Sequence, residues 1–310
     1  MATAIHAAQV TYQAPDLPLM ESFLTDFGLH KVEGSDENAL YMRGSGEQHH
    51  MHVTLKGEEA RFVGASIEVA TKEDLEELAA MPGSSPVQES TELGGGYEVV
   101  MHTPDGVQIK AIWGRSKSAP LPLREAFEYN SIEHKPRVNE SVRQGVAPCD
   151  AIRLGHFVLH VSDHHATVKW FFDRFNFLAS DYFATPDEEV VYGTFIRLDR
   201  GDELVDHHFM LILQSDNVGV HHCSFEVVDI DAVFSAHDYL LSKGYTLDVG
   251  VGRHMLGSQV FDYWKDPFGF RVEHYSDGDT VNSSHQPANF TGTAGDTTQW
   301  GMRPPDEFFQ

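Results

Sequence analysis

Three residues in the second half of this 310-residue sequence are of the types that bind a catalytic metal: His156, His222 and Glu273. His156 lies near the start of an apolar strand, His222 follows His221 in a second strand, and Glu273 lies seven residues after Asp266 in a hairpin. Two neutral imidazoles and one carboxylate form the facial ligand set of non-haem Fe(II) oxygenases. Such a set leaves three metal positions open, enough for a bidentate diol and O₂.

Internal repeats predict the elements that position these residues. Three pairs of segments correspond between the two halves of the chain: 7–29 with 154–177, 62–83 with 220–244, and 96–114 with 258–279. The first two pairs each suggest a strand followed by a helix, with caps from Thr71, Asp229 and either Ser162 or Asp163. The third pair suggests hairpins on Thr-Pro-Asp-Gly and Asp-Pro-Phe-Gly turns, in which Pro presets one φ and Gly permits an unusual one.

The repeats predict an α+β protein of two domains. We place an N-terminal structural domain at 1–115, a linker at 116–152, a C-terminal catalytic domain at 153–280 and a tail at 281–310. The linker contains four prolines, and the tail is rich in Ser, Thr, Gly, Asn and Pro. Such composition favours irregular structure, so we expect the tail to lie on the surface or across a neighbouring chain.

The first half serves as an internal control for the proposed metal ligands. The repeats align Gln9 with His156, Gly64 with His222, and Lys110 with Glu273. Glycine offers no ligand atom, and lysine places a positive charge where a carboxylate is needed. A requirement of folding alone would tend to appear in both copies, so the His, His and Glu set indicates function in the second domain only.

Three stretches of the second half resemble the type I extradiol ring-cleaving dioxygenases of the vicinal oxygen chelate, or glyoxalase and bleomycin resistance, superfamily. They are GHFVLHVSD from 155, VHHCSFEV from 220 and GRHMLGSQVFDYWKDPFGFRVE from 252. The closing motif of that family has a His, a Tyr, an Asn/Asp-Pro-x-Gly turn and the ligand Glu, which here correspond to His254, Tyr263, Asp266 to Gly269, and Glu273. Asp262 departs from the apolar residue usual before the Tyr. The resemblance covers about residues 5–280.

This resemblance implies paired βαβββ modules in each domain, with a metal site in the C-terminal domain alone. It implies Fe(II), or else Mn(II), bound by His156, His222 and Glu273. His208, rather than the adjacent His207, best matches the family's acid–base histidine. His254 and Tyr263 would hydrogen-bond the substrate and the reacting oxygen, and His221 would line the same pocket. Four further residues are candidates for the pocket wall: Met255, Trp264, Phe268 and Phe270.

The function implied by the resemblance is cleavage of the ring of a catechol-like substrate with O₂, in the breakdown of aromatic compounds. A metal-dependent isomerase or lyase, or a hydroquinone-cleaving dioxygenase, is the alternative within the superfamily. The isomerases commonly carry four protein ligands, whereas three are visible here. A resistance-type protein that only binds an aromatic molecule is a third possibility, but it would need no metal triad.

Charge and cysteine content limit the partners and the compartment. Lys and Arg number 22 against 47 Asp and Glu, giving a formal charge of −25. That charge opposes binding to nucleic acid or an anionic membrane. Two cysteines, Cys149 and Cys223, favour a reducing cytoplasm over a disulfide framework. The first residues lack the pattern of a signal peptide, and no apolar run is long enough to span a membrane. The family resemblance implies a homo-oligomer.

Overall fold

The computed structural model describes residues 1–309 and has the predicted two-domain α+β fold. The N-terminal domain is one eight-stranded sheet in the order β2-β3-β4-β1-β5-β8-β7-β6, with two helices packed on it. Its elements are β1 (Ala4–Ala14), α1 (Leu17–Asp26), β2 (His30–Lys31), β3 (Ala39–Arg43), β4 (His52–Lys56), β5 (Arg61–Val69), α2 (Lys72–Ala79), β6 (Gln88–Glu89), β7 (Tyr97–His102) and β8 (Gln108–Trp113).

The C-terminal domain repeats this plan in a ten-stranded sheet of order β19-β10-β11-β13-β9-β14-β17-β16-β15-β20, while β12 and β18 pair separately. Its elements are β9 (Arg153–Val161), α3 (His164–Phe172), β10 (Phe177–Ala184), β11 (Val191–Leu198), β12 (Val205–Asp206), β13 (Met210–Gln214), β14 (Gly219–Glu226), α4 (Ile230–Lys243), β15 (Thr246–His254), β16 (Val260–Lys265), β17 (Arg271–Ser276), β18 (Thr280–Val281), β19 (Asn289–Phe290) and β20 (Thr298–Gly301), with 3₁₀ helices at Ala294–Thr297 and Asp306–Phe309.

Strand register reproduces the alignment of the two halves. In the C-terminal domain, Ser224 of β14 pairs with His156 on one side and with Glu273 on the other. In the N-terminal domain, Ser66 of β5 pairs with Gln9 and Lys110 in the same way. The three central strands of each domain are therefore equivalent, and the same register places the proposed ligands on neighbouring strands.

The helix caps agree with the sequence patterns. Thr71 and Asp74 form a capping box at α2, and Asp229 accepts from the Ala232 amide at α4. Asp163 caps α3, and Ser162 instead binds Asp105 of the other domain. Gly244 ends α4 with φ of 78°, a left-handed conformation that glycine adopts without steric cost.

The two domains share one apolar core. Phe23, Phe27 and Tyr12 of the first domain lie in the same buried cluster as Phe225 of the second. The Phe27 ring also stacks on His274, with ring centroids 3.6 Å apart. This shared core holds the domains together through buried apolar surface, a strong contribution to stability.

The linker is anchored to the catalytic domain although its described residues form no helix or strand. Both terminal nitrogens of the Arg124 guanidinium donate to the Asp229 carboxylate, each at 2.7 Å. Such bidentate pairs fix geometry as well as charge. Among residues 1–309, no helix is both long and apolar enough to cross a membrane.

The tail differs from the expected irregular surface segment. It contributes β19 and β20 to the catalytic sheet, where they pair with β10 and β15. Its end turns inward, and the Phe308 side chain is buried. Composition predicted irregularity correctly for much of the segment, but it could not reveal that two terminal aromatic rings would find an apolar cavity in the same chain.

Candidate metal and substrate site

The three predicted metal ligands converge on adjacent strands β9, β14 and β17. Nε2 of His156 lies 3.3 Å from Nε2 of His222 and 3.1 Å from Oε2 of Glu273. Nε2 of His222 lies 3.4 Å from the same carboxylate oxygen. All three side chains are buried, and three ligand atoms at these separations can surround one small cation.

The chemistry of the donor set fits a divalent metal. Neither oxygen of the buried Glu273 carboxylate has a hydrogen bond of regular geometry. Burial raises the pKa of Glu273, but the imidazoles of His156 and His222 outweigh it and hold the pKa well below its ordinary value. Burial lowers the pKa of His222 to about 4. An ionised carboxylate beside a neutral imidazole is the protonation state that metal binding requires, and a buried charge of this kind needs a cation nearby.

His221, predicted for the pocket, lies behind His222 and is not among the residues that line the cavity above the three ligands. Its Nδ1 is 2.6 Å from Nδ1 of His222, and its Nε2 is 2.6 Å from the Phe308 carbonyl oxygen. A register shift between Val220 and His222 interrupts the alternation of β14. Such a bulge lets consecutive side chains approach each other, which strict alternation of strand residues does not anticipate.

The pair of histidines also defines how His222 would bind. If Nε2 of His222 is the ligand atom, its Nδ1–H donates to Nδ1 of His221. His221 then carries its proton on Nε2 and donates it to the Phe308 carbonyl. In this tautomer, Nε2 of His221 does not accept from the nearby Arg271 guanidinium. A histidine held in this way has a fixed tautomer and orientation, as metal-binding histidines usually do.

His208 lies on the other side of His156, with ring centroids 4.4 Å apart, and its ring lines the cavity. Burial, with the charges of His156 and His207, lowers the pKa of His208 well below its ordinary value. The free imidazole is therefore neutral at pH 7 and able to accept a proton. The adjacent His207 faces Asp181, with Nε2 to Oδ2 at 2.8 Å, and does not line the cavity.

His254 and Tyr263 form the opposite wall. Nε2 of His254 lies 2.8 Å from the Tyr263 hydroxyl and 3.6 Å from Oε1 of Glu273. Burial and the negative charge of Glu273 raise the pKa of Tyr263 well above its ordinary value, so the hydroxyl keeps its proton and can donate it in a hydrogen bond. Tyr263 pairs with Glu273 across β16 and β17, which explains why the two lie together.

Apolar side chains complete the cavity. Its walls include Phe183, Phe195, Leu211, Leu256, Phe308 and Phe309. The four residues predicted for this wall lie elsewhere: Met255 is half exposed, Trp264 is fully buried, and Phe268 and Phe270 pack against the main core. Sequence reasoning missed Phe308 and Phe309, although two consecutive aromatic residues near the end of a polar tail were a usable signal.

Asp262, the departure from the family motif, has its own partners. It is fully buried, and its carboxylate accepts hydrogen bonds from Nδ1 of His237 at 2.9 Å and from the Trp264 indole at 2.6 Å. Its side chain points away from the metal ligands because it alternates with Tyr263 along β16. The polar residue is thus accommodated without disturbing the site.

The equivalent position of the N-terminal domain contains an ammonium group. Lys110 Nζ donates to Glu92 at 2.8 Å and to Glu98 at 3.3 Å. Gln9 binds His50, with Oε1 to Nε2 at 3.0 Å. The lysine charge is satisfied by carboxylates from the same domain, so this position has no need of a metal.

Comparison with known proteins agrees with the predicted fold. Residues 153–274 match the family model of the Glyoxalase/Bleomycin resistance protein/Dioxygenase superfamily. Over an alignment of 318 residues, the chain is 27% identical to metapyrocatechase 2 of Cupriavidus necator. The alignment covers 98% of this chain and 92% of that protein.

Two solved structures share the fold across almost the whole chain. The Mn(II)-bound glyoxalase of Novosphingobium aromaticivorans superposes with a TM-score of 0.83 at 22% identity, covering 100% of this chain and 95% of the other. Homoprotocatechuate 2,3-dioxygenase of Arthrobacter globiformis superposes with a TM-score of 0.80 at 18% identity, covering 99% and 91%.

The fold is thus that of a two-domain protein of the vicinal oxygen chelate type, with one candidate metal site, in its C-terminal domain. The match over residues 153–274 ties that domain to the glyoxalase, bleomycin resistance protein and dioxygenase superfamily. The comparisons confirm the predicted resemblance to the type I extradiol ring-cleavage dioxygenases.

Proposed function

We propose that this protein is an Fe(II)-dependent dioxygenase that opens the ring of a catechol-type substrate beside its two hydroxyls, using O₂. The observation that carries the proposal is the convergence of His156, His222 and Glu273 beneath a cavity that also contains His208 and Tyr263. Three protein ligands leave room for both substrates, and the two other residues can transfer or hold protons. Mn(II) suits the same ligands and is the alternative metal.

The bound metal would supply Lewis acidity that lowers the pKa of the substrate hydroxyls and a position for O₂. The chain's own residues do the rest. His208 accepts the proton of one hydroxyl and later returns it to assist cleavage of the O–O bond. Tyr263 and His254 hydrogen-bond the substrate and the reacting oxygen. The apolar wall, with Phe195 and Phe308, binds the ring and keeps water out of the cavity.

An isomerase or lyase of the same superfamily is the second candidate function. It is favoured by one observation, the likeness to the Mn(II)-bound glyoxalase. That likeness is one of fold. A fourth carboxylate or imidazole among the ligand atoms would support the isomerase, but the metal-binding group found at this position in residues 1–309 has three members.

The test is to load the protein anaerobically with Fe(II) and to add catechol, 3-methylcatechol or 4-methylcatechol in air. We expect O₂ uptake to match the formation of a yellow ring-opened product. O₂ uptake without the yellow colour would indicate another ring, such as a hydroquinone. No uptake with iron bound would contradict the proposal and favour the isomerase or lyase.

Three further properties remain predictions. The family resemblance suggests a homo-oligomer, the cysteine content suggests the cytoplasm, and the reaction suggests a place in the breakdown of aromatic compounds. Sedimentation of the purified protein tests the first of these directly.

A further inference from the structure

A second buried hydrogen-bond chain leads to His208 from the side away from the metal ligands. Nε2 of His207 lies 2.8 Å from Oδ2 of Asp181, and Nδ1 of His207 lies 3.1 Å from Nδ1 of His208. All three residues are at most 7% exposed. No other residue of the site connects His208 to a carboxylate in this way among the hydrogen bonds of residues 1–309.

The hydrogen-bond chain from Asp181 to His208 permits one arrangement of protons when Asp181 is ionised. A carboxylate only accepts, so Nε2 of His207 must carry a proton and donate it. Nδ1 of a neutral His207 is then an acceptor, so His208 must donate from Nδ1. Nε2 of His208 consequently carries no proton, and its lone pair can accept one from the substrate.

Both oxygens of Asp181 are used as acceptors. While Oδ2 accepts from His207, Oδ1 accepts from the backbone amide of Ala288 at 2.8 Å. An amide side chain could not replace it, because an amide has one accepting and one donating end. The backbone N–H of Ala288 cannot change its role, so an asparagine here would turn its NH₂ group toward His207.

The surroundings restrict the two histidines. Gly257 has a φ of +76°, and a Cβ added there would meet Nδ1 of His207 at 3.1 Å. The tail also packs here, since His285 Nε2 donates to the Ser180 carbonyl at 2.8 Å. The Gly257 backbone and the His285 ring thus both lie beside the His207 ring.

We propose that Asp181 and His207 are positioning residues that fix His208 as the tautomer protonated on Nδ1, so that its Nε2 is the base in ring cleavage. The proposal rests on the proposed function for its catalytic meaning, but the tautomer itself can be observed without turnover. The first histidine of each pair, His207 and His221, then has the same task of orienting the second.

The same cluster is a second candidate metal site, because Asp181, His207 and His285 place ligand atoms within 4.8 Å of one another. A cation on Nε2 of His207 would move the proton of that ring to Nδ1. His208 would then have to accept at Nδ1 and carry its proton on Nε2, where it could no longer act as a base. The 2.8 Å separation of His207 and Asp181 is that of a hydrogen bond.

The test compares Asp181→Asn with the wild-type chain, both loaded with diamagnetic Zn(II), by ¹⁵N–¹H correlation spectra of the histidine rings. We expect the wild-type His208 to show a protonated Nδ1 and a bare Nε2, and the variant to show the reverse. His285→Ala is the matched control, because it removes a tail contact beside Asp181 but leaves the chain of hydrogen bonds intact. An Nε2-protonated His208 in the wild type would overturn the proposal, whatever the enzyme's activity.

Kinetics with Fe(II) provide the second measurement. Asp181→Asn should lower kcat for catechol by about 10²-fold or more, the usual contribution of a general base, with metal content and KM little changed. The loss should be smaller for 4-nitrocatechol, whose nitro group acidifies the hydroxyls. Equal losses on both substrates, or loss of a second equivalent of metal in His285→Ala, would contradict the positioning role. Absence of ring cleavage by the wild type would refute the proposed function and leave the tautomer result standing.

Discussion

The backbone carbonyl oxygen of Phe308 lies 2.6 Å from Nε2 of His221, which itself contacts the proposed metal ligand His222. The end of the chain therefore reaches the same strand that positions the metal. The Phe308 ring also lines the cavity and packs under the Arg271 guanidinium, 4.1 Å from it. The tail is thus part of the site, and its removal should weaken substrate binding.

Phe308→Ala should raise KM for catechol by roughly 10- to 100-fold, because the ring contributes apolar contact of the order of 1.5 to 3 kcal/mol. Metal content should change little in Phe308→Ala, since the carbonyl that accepts from His221 belongs to the backbone and is kept. Phe234→Ala, at a ring that is half exposed on α4, is the control and should leave KM unchanged. Steady-state kinetics decide the matter, and an unchanged KM in Phe308→Ala would show that the tail does not contact substrate.

His208→Phe should slow turnover by about 10² to 10⁴-fold while the metal stays bound, because a flat aromatic ring is retained but the proton acceptor is lost. Metal analysis and kcat are measured on the same preparation. His165→Phe controls for the change of residue type, because His165 belongs to another pair of consecutive histidines, at the start of α3. Loss of metal in His208→Phe would mean that this side chain supports the ligands rather than the chemistry.

Glu273→Gln should abolish stable metal binding, because it removes the one charge among the ligands and leaves an amide in a buried site. We expect metal content close to zero after dialysis, with the fold retained in circular dichroism. Glu59→Gln, an exposed residue of the first domain, is the control. Full metal content in Glu273→Gln would place the metal elsewhere, for instance at Asp181, His207 and His285.

The stability of the fold should depend on pH through His237 and Asp262. The hydrogen bond from His237 to Asp262 raises the pKa of His237 above its ordinary value of 6.5, although burial opposes it. A raised folded-state pKa stabilises the fold fully below the unfolded value, and this contribution is lost as pH rises through the folded value. Burial also raises the pKa of Asp262, so its linkage has the same sign.

We therefore expect His237→Gln to cost more unfolding free energy at about pH 6 than at about pH 9, measured by urea denaturation. His102→Gln, on an exposed strand end of the first domain, should show the same small effect at both values. A cost that grows with pH would mean that the neutral form of His237 is the one the fold prefers.

The sequence predicted the fold correctly where local patterns and repeats determine structure. The alignment of Gln9 with His156 and of Lys110 with Glu273 is reproduced by strand register, because period-2 strands and their turns set pairing strongly when one face is buried. The ligand triad followed from residue chemistry and family resemblance together. Its three members lie far apart in sequence, and the common sheet is what brings them within contact.

The remainder depended on tertiary structure. The bulge at His221 changed the direction of one side chain, and no residue type announces such a bulge. The pairing of His207 with Asp181 joins the loop between β12 and β13 to strand β10, so it arises only in the folded chain. Phe308 and Phe309 fill a cavity that the polar tail's composition did not suggest.

In the proposed reaction, both atoms of O₂ enter one ring-opened product. This is tested by reacting Fe(II)-loaded protein with catechol under ¹⁸O₂, followed by mass spectrometry of the product. We expect incorporation of two labelled atoms, one of them partly lost where the aldehyde exchanges with water, with one O₂ consumed per ring opened. A product without label, or O₂ uptake that yields only quinone and peroxide, would contradict it.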